Sequence, residues 1–185
     1  MGERLREALL DRWGAVLFDF MLRGLFEHRM IHADPNLANF SFLADGRVVV
    51  YDFGCVKSVP PNIVQGYREL SRAALAGRRF DVPALLAAMG VSTGSGRPVS
   101  AELVAPALDF VHKMLDDERP YRFGSDDQLF RQLFDMTTSR FAEAKDIRFP
   151  HHIIFVDRTA AGLFGNLSRL RAAAPWRRML EARIA

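Results

Sequence analysis

Several features that define common protein classes are scarce or missing from this sequence. Cys55 is the only cysteine, so the chain cannot form an internal disulfide, which fits a reducing compartment. No stretch reaches the roughly 20 consecutive apolar residues that a membrane-spanning helix needs, because Asp19 and Arg23 interrupt the most apolar one. The first six residues are too charged for a secretory signal. No basic run is interleaved with aromatic residues, which argues against a nucleic-acid partner.

The remaining composition is that of an ordinary globular protein. The chain has 185 residues, of which 49% are hydrophobic and 25% charged, so we predict one domain over residues 1–185. Its net charge is +3, and its basic residues are almost all arginines, a bias that fits a GC-rich bacterial genome. We favour a solvated helix face for the arginines near the C-terminus, with phosphate or membrane contact as the alternative. These are Arg158, Arg169, Arg171, Arg177, Arg178 and Arg183.

Hydrophobic periodicity predicts a mainly α fold with one small β-hairpin. Apolar residues recur every three or four positions over Glu3–Glu27, which predicts one long helix. Two β-rich runs, Phe40–Leu43 and Arg47–Tyr51, flank an Asp-Gly turn, a strong hairpin signal. After Pro61 the pattern is helical throughout, and the Gly- and Pro-containing residues 91–99 form the most flexible predicted linker. The predicted helices are Asn62–Ala76, Asp81–Met89, Ser100–Asp116, Ser125–Ala144, His151–Ala172 and a short last one opened by Pro175.

Three polar residues combine into a pattern typical of phosphoryl-transfer sites. Asp34 and Asn39 lie five residues apart in a polar loop, and Asp52 opens an Asp-Phe-Gly triplet directly after the predicted hairpin. Such a site has to position a nucleophile and neutralise phosphate charge with metal, and carboxylate and amide oxygens are ligands that Mg²⁺ accepts. Either half of the pattern is weak alone. Both halves, joined by one hairpin and preceded by a long amphipathic helix, predict a protein-kinase-like C-terminal lobe.

The loop from Ile31 to Asn39 resembles the His-Ala-Asp-Pro-His-Pro-Gly-Asn loop of the UbiB/AarF atypical kinase family, the ubiquinone-biosynthesis group. Ala33, where ordinary protein kinases have arginine, and Pro35 both point to that family. Residues 157–162 resemble the Asp-Arg-x-x-x-Gly helix near the family's C-terminal end. The resemblance runs from about residue 14 to residue 171 and is thin between the hairpin and this helix. The chain departs from the family loop at residues 36–38, where Asn-Leu-Ala stands in place of His-Pro-Gly.

That resemblance implies an Mg-ATP-dependent phosphoryl transfer or ATPase activity that supports ubiquinone (coenzyme Q) biosynthesis. Asp34 would be the catalytic carboxylate, while Asn39 and Asp52 would bind Mg²⁺ and, through it, ATP. His32 would be a structural residue of the loop. The family also implies lipid or quinone-pathway clients, and a cytoplasmic protein with peripheral contact at the inner membrane.

The nucleotide-gripping parts of the family are not found ahead of the catalytic loop. We find no Gly- or Ala-rich nucleotide loop, no strand lysine with a partner glutamate and no Lys-x-Gly-Gln helix. We therefore expect a C-terminal lobe with the catalytic loop at 31–39, the hairpin at 40–51, Asp-Phe-Gly at 52–54 and helices over 61–185. An N-terminal lobe would be supplied in cis or in trans. The isolated chain would then bind ATP weakly and be inactive alone.

Two other functions remain open. One is a non-catalytic lipid- or protein-binding lobe that descends from a kinase. The other is a small-molecule kinase of the aminoglycoside or choline type, which shares a His-x-Asp-x-x-x-x-Asn loop; Ala33, Pro35 and the Asp157-Arg158 pair argue against it.

The other reactive side chains have simpler interpretations. Cys55 would lie near the phosphates, yet a small packed thiol is the simpler interpretation. His151 and His152 lack acidic or cysteine partners at ligand spacing, which makes a metal site improbable. The last long helix carries an apolar stripe that we assign to the core: Ile153, Val156, Ala160, Leu163, Leu167 and Leu170.

Overall fold

The first helix delivers the chain directly into the catalytic loop. The computed structural model describes residues 2–77, 81–103, 105–115, 120–125 and 146–185. Helix α1 spans Glu3–Arg23 and continues as a π-helical turn over Gly24–His28, so the long helix is found and its last turn is widened. Arg29 then adopts a left-handed conformation with φ 54°, which ends the helix. The chain turns back so tightly that a Cβ at Gly24 would lie 2.7 Å from the Met30 carbonyl oxygen.

Four short strands follow as two nested antiparallel pairs. The predicted hairpin is present, with Phe40 opposite Val50 and Phe42 opposite Val48. An outer pair encloses it, with Met30 opposite Ser58 and His32 opposite Val56, and this pair was not predicted. In chain order the strands are β1 Met30–His32, β2 Phe40–Phe42, β3 Val48–Val50 and β4 Val56–Ser58.

The rest of the described chain is mainly helical, as predicted. A 3₁₀ turn, Ala101–Leu103, precedes the fourth helix. The predicted helix Ser125–Ala144 lies outside the described residues except for Ser125. The observed helices are α2 Pro61–Ala76, α3 Val82–Ala88, α4 Ala105–Met114, α5 His151–Leu170 and α6 Trp176–Ile184.

The expectation that everything after Pro61 is helical is wrong at one place. Strand β5, Ser92–Thr93, pairs with strand β6, Ile147–Arg148. The predicted flexible linker 91–99 contains β5 and begins and ends with buried valines. Asp146 anchors it, because its carbonyl accepts a hydrogen bond from Gly94 N at 2.8 Å. A pairing between segments so far apart leaves no local turn signal in the sequence.

The core lies where α1, α5 and α6 cross. Helix α1 lies close to the end of α5, since a Cβ at Gly14 would lie 3.3 Å from Leu167 Cδ2 and would collide with Ala172 just after the helix. Trp176, 1% exposed, packs edge-on against Phe18 and donates its indole N–H to the Tyr121 carbonyl at 2.7 Å. The stripe predicted on α5 is confirmed as core by four fully buried members and two partly buried ones. The buried members are Ile153, Val156, Leu163 and Leu167.

Two of the C-terminal arginines are half-buried in contacts between helices, and four are exposed. Arg183 binds Asp19 at 2.9 Å and Glu27 at 2.8 Å, and Arg177 donates to the Leu75 carbonyl at 2.8 Å. These contacts tie α6 to α1 and α2. The exposed members are Arg158, Arg169, Arg171 and Arg178. Within the described part of the chain, no helix is both long and apolar enough to cross a bilayer.

A polar junction at Asp11 ties three segments together. Its Oδ1 accepts from Ala173 N at 2.8 Å and from Arg122 Nη1 at 3.0 Å. Arg122 also donates to the Arg171 carbonyl at 2.7 Å. Arg122 Nη2 also binds Glu7 at 2.9 Å. The Asp11 carboxylate thus joins α1 to the segment 120–125 and to the residues that follow α5, and it accepts the Ala173 N–H.

We expect Asp11→Ala to lower the free energy of unfolding by about 1–3 kcal/mol, because it leaves the Ala173 N–H without its acceptor and removes one of the carboxylates that Arg122 binds. Urea denaturation measures the change. Asp45→Ala is the matched control, since Asp45 binds only its neighbour Arg47 at the surface and should matter clearly less. Equal losses of unfolding free energy in the two variants would show that the Asp11 junction stabilises the fold no more than a surface ion pair does.

Candidate active site

The nested strand pairs bring two loops side by side. The loop of residues 33–39 joins β1 to β2, and the loop of residues 51–55 joins β3 to β4. Two backbone hydrogen bonds join the loops, from Ala33 N to the Cys55 carbonyl at 3.1 Å and from Tyr51 N to the Asn39 carbonyl at 2.8 Å. The segments that carry the three predicted site residues are therefore neighbours in space, although Asp34 and Asp52 are 18 positions apart in the sequence.

Asp34 and Asn39 contact each other directly. Asn39 Nδ2 donates to Asp34 Oδ2 at 2.8 Å and to the Asp34 carbonyl at 3.2 Å. Asn39 ends a 3₁₀ turn, Leu37–Asn39, which Asn36 caps by accepting from Ala38 N at 3.0 Å. Asn36 is one of the departures from the family loop, and its side chain holds the turn that presents Asn39.

Asp52 is held in an unusual backbone conformation. Its φ of 53° and ψ of 81° lie in the left-handed region, which costs a residue with a side chain on the order of 1 kcal/mol. Its Oδ1 accepts from Gly54 N at 3.0 Å, and its carbonyl oxygen lies 2.9 Å from His32 Nε2. Two hydrogen bonds therefore compensate for the backbone strain at this carboxylate.

His32 links the two loops from below. The residue is 8% exposed, and its ring lies among the rings of Phe20, Phe40 and Phe53. Because Nε2 faces a carbonyl oxygen, that nitrogen carries the proton, and Nδ1 has no hydrogen-bond partner among the described residues. Phe53 contacts the His32 ring edge-on, with the ring centroids 5.9 Å apart, and Phe53 itself is 60% exposed.

The donor atoms fit a hard cation. Because Asn39 turns its Nδ2 toward Asp34, its amide oxygen is directed elsewhere, and Asp52 Oδ2 has no hydrogen bond to a described residue. One amide oxygen and one carboxylate suit Mg²⁺, which keeps most of its waters. No group of three or more His, Cys, Asp or Glu side chains that could hold a metal ion is found within the described residues.

Helix α5 contributes two contacts that the sequence analysis missed. Asn166, 6% exposed, donates from Nδ2 to the Pro35 carbonyl at 2.6 Å. At Gly162, one turn earlier, a Cβ would collide with the Pro35 ring. A signal was present, because a glycine and an asparagine four residues apart interrupt the apolar face of a helix, which usually has a packing reason.

An apolar cavity of about 280 Å³ lies beneath the two loops. Three of its lining residues directly follow the predicted site residues: Pro35 follows Asp34, Phe40 follows Asn39, and Phe53 follows Asp52. Leu17 and Leu163 line its helical side.

The other reactive side chains make none of the side-chain contacts described above. Cys55 is a free cysteine, and it is exposed, so the interpretation as a packed thiol is wrong. His151 and His152 stack with ring centroids 3.7 Å apart, and desolvation, followed by the charge of His151, lowers the pKa of His152.

Asp157, from the segment that resembles the family's C-terminal helix, binds α2. Tyr67 donates its hydroxyl to Asp157 Oδ1 at 2.6 Å. Desolvation raises the pKa of Asp157 to about 6, and the hydrogen bond from Tyr67 partly opposes this rise. Burial, together with the nearby Asp157 charge, raises the pKa of Tyr67. Asp157 keeps contact with solvent, so we expect a modest effect on stability.

The helical lobe with its loop and hairpin defines a mainly α, kinase-like fold, as predicted. The chain is similar to a solved structure, the Rv3197–erythromycin complex from Mycobacterium tuberculosis, with a TM-score of 0.65 and 22% sequence identity. The alignment covers 96% of this chain and 44% of the M. tuberculosis chain, so the chain spans less than half of that protein. This likeness shows the fold.

The family comparison is narrower. Residues 8–82 match the model of the ABC1 atypical kinase-like domain, and this range contains Asp34, Asn39 and Asp52. A stretch of 60 residues is 40% identical to the uncharacterized protein sll0005 of Synechocystis sp., covering 32% of this chain and 9% of that protein. The match supports the atypical kinase family, while the UbiB/AarF group stays a prediction.

We expect Asp157→Asn to stabilise the fold above pH 6. The folded chain holds a proton on Asp157 that the unfolded chain releases near pH 4, so wild type loses stability as the pH rises from about 4 to about 6. The asparagine variant lacks this loss. Urea denaturation between pH 4 and pH 7 should show the difference growing across that window and then levelling off.

Asp45→Asn is the control, with the opposite sign. Hydrogen bonds from the Arg47 backbone and side chain lower the pKa of Asp45, so its contribution to stability is complete above pH 4 and is lost only as the pH falls below 4. Between pH 4 and pH 7, Asp45→Asn should therefore show a small, constant loss of stability. A pH-independent difference between wild type and Asp157→Asn would contradict a raised pKa at Asp157.

Proposed function

We propose that this chain provides the metal-binding half of an Mg-ATP-dependent phosphoryl-transfer or ATPase site. The observation that carries the proposal is the hydrogen bond between Asn39 and Asp34 in a loop that is joined to the Asp52 loop by backbone hydrogen bonds. The match of residues 8–82 to an atypical kinase-like domain supports it.

Each side chain has a defined role in this proposal. Asp34 accepts the proton of the attacking hydroxyl or water, and the amide of Asn39 holds the Asp34 carboxylate in place. The amide oxygen of Asn39 and the carboxylate of Asp52 hold Mg²⁺. The metal, when bound, neutralises charge on the phosphate oxygens. The left-handed backbone of Asp52 and its bond to Gly54 N orient that carboxylate before any ligand arrives.

The finer identity is also a proposal. The loop and the 157–162 segment support a UbiB/AarF-type enzyme that acts in ubiquinone biosynthesis, with lipid or quinone-pathway clients. It would work in the cytoplasm, with peripheral contact at the inner membrane through its exposed arginines. An N-terminal lobe, in cis or in trans, would complete the grip on ATP.

A second candidate is a non-catalytic lobe that binds an apolar molecule, and the cavity under the loops favours it. The M. tuberculosis protein of similar fold was solved in complex with erythromycin, a large organic ligand. The two candidates differ in one respect. Apolar binding should survive Asp34→Asn and Asp52→Asn, whereas phosphoryl transfer by the complete protein should not. A small-molecule kinase is the remaining alternative, and no contact in the described structure favours it.

The test is metal binding by this chain, with Mn²⁺ as a paramagnetic probe for the Mg²⁺ site. We expect Asp52→Asn to weaken Mn²⁺ binding about tenfold or more, because it removes the one charged ligand. Electron paramagnetic resonance measures free Mn²⁺ directly. Calorimetry with ATP and Mg²⁺ should show weak nucleotide binding that Asp52→Asn abolishes.

Asp45→Asn is the matched control, because it removes an exposed carboxylate from the same hairpin outside the site. It should leave Mn²⁺ binding as in wild type. Equal Mn²⁺ affinity in wild type and Asp52→Asn would sink the proposed metal site. Tight stoichiometric ATP binding by the chain alone would contradict the need for a second lobe.

A further inference from the structure

We infer that α5 sets the position of the catalytic loop and that Asn166 is a positioning residue for Asp34 and Asn39. The functional consequence rests on the proposed function, whereas the structural one does not. Asn166 and Pro35 are 131 positions apart in the sequence. The contact is therefore a property of the tertiary fold, not of the loop.

The buried amide of Asn166 has a specific task. A polar side chain that is 6% exposed on a helix face otherwise filled by Leu163 and Leu167 is costly unless it is hydrogen-bonded. Its described bond is the one from Nδ2 to the Pro35 carbonyl, at 2.6 Å. An apolar residue would fill the same space, so the amide is explained by the loop it holds.

Gly162 brings the loop close enough for that bond. It lies four residues before Asn166 and thus on the same face of α5. A Cβ there would collide with Pro35 Cγ and would lie 2.9 Å from Pro35 Cβ, so the proline ring rests directly on the helix backbone. The ring and the carbonyl of one residue are therefore both held by α5.

Pro35 passes this constraint to both site residues of the loop. Its ring fixes its own φ and restricts the backbone of Asp34 before it. The remaining soft torsion, ψ, aims the carbonyl that Asn166 holds. That torsion also sets the direction of Asn36, which caps the 3₁₀ turn ending at Asn39. Fixing one carbonyl therefore fixes the Asp34–Asn39 pair from both sides.

The experiment compares Asn166→Leu with Thr159→Val. Both remove a buried polar group from α5 with little change in shape, but the bond that the Thr159 hydroxyl makes within the described part of the chain goes to the Phe155 carbonyl of its own helix. In Asn166→Leu we expect amide hydrogen exchange at Ala38 and Asn39 to rise about tenfold and Mn²⁺ affinity to fall about tenfold. Thr159→Val should change neither, although both variants lower the melting temperature.

A merely structural role for Asn166 would lower the melting temperature and leave loop exchange and Mn²⁺ affinity as in Thr159→Val, which overturns the inference. Faster loop exchange in Asn166→Leu, with unchanged exchange in Thr159→Val, supports the positioning role of Asn166. If wild type binds no Mn²⁺ while loop exchange still responds to Asn166→Leu, the positioning role stands and the proposed function fails.

Gly162→Ala provides a second route if Asn166→Leu does not fold. Alanine favours a helix, yet its Cβ must displace Pro35. We expect the same rise in exchange at Ala38 and Asn39 without helix destabilisation, while the hairpin amide of Leu43, which bonds to the Arg47 carbonyl, stays protected as in wild type. Unchanged loop exchange in Gly162→Ala would overturn the inference independently.

Discussion

The nesting of one antiparallel strand pair inside another is the constraint on which the candidate site depends. The outer pair closes the chain at His32 and Val56, and the inner pair closes it at Phe40 and Val50. The two connecting loops therefore lie next to each other. Proximity of the loop that carries Asp34 to the loop that carries Asp52 follows from strand pairing, before any side chain makes a contact.

Such short strands cannot be stable by themselves, because three-residue pairs bury little surface. Their support comes from the helices. Helix α1 contributes Leu17 and Phe20 beneath the loops, and α5 contributes Leu163, so the sheet edge rests on apolar side chains. His32 occupies the centre of this arrangement, where an apolar residue would pack equally well. The bond of its Nε2 to the Asp52 carbonyl explains why a histidine stands there.

The features predicted from sequence are those with a local physical signal. The α1 and α5 periodicities and the Asp-Gly hairpin each rest on neighbours within a few residues, and all three are found. The outer strand pair and the β5–β6 pair join distant segments and leave no such signal. The five-residue interval between Asp34 and Asn39 predicted a shared site, and the structure joins their side chains by a hydrogen bond. That interval carries no information about the contact of Asn166 with Pro35, because Asn166 lies in another element 131 positions away.

The departures from the family loop show which of its properties the fold requires. Residues 36–38 differ from the His-Pro-Gly of the UbiB/AarF loop that this segment resembles, yet the spacing of Asp34 and Asn39 is the same. Asn36 caps the turn with its own side chain. Pro35 is retained, and it is the residue that α5 holds from outside. The shape of the loop is therefore set by the Asn36 cap within it and by the contacts of α5 with Pro35, and these two constraints suffice to keep Asp34 and Asn39 paired.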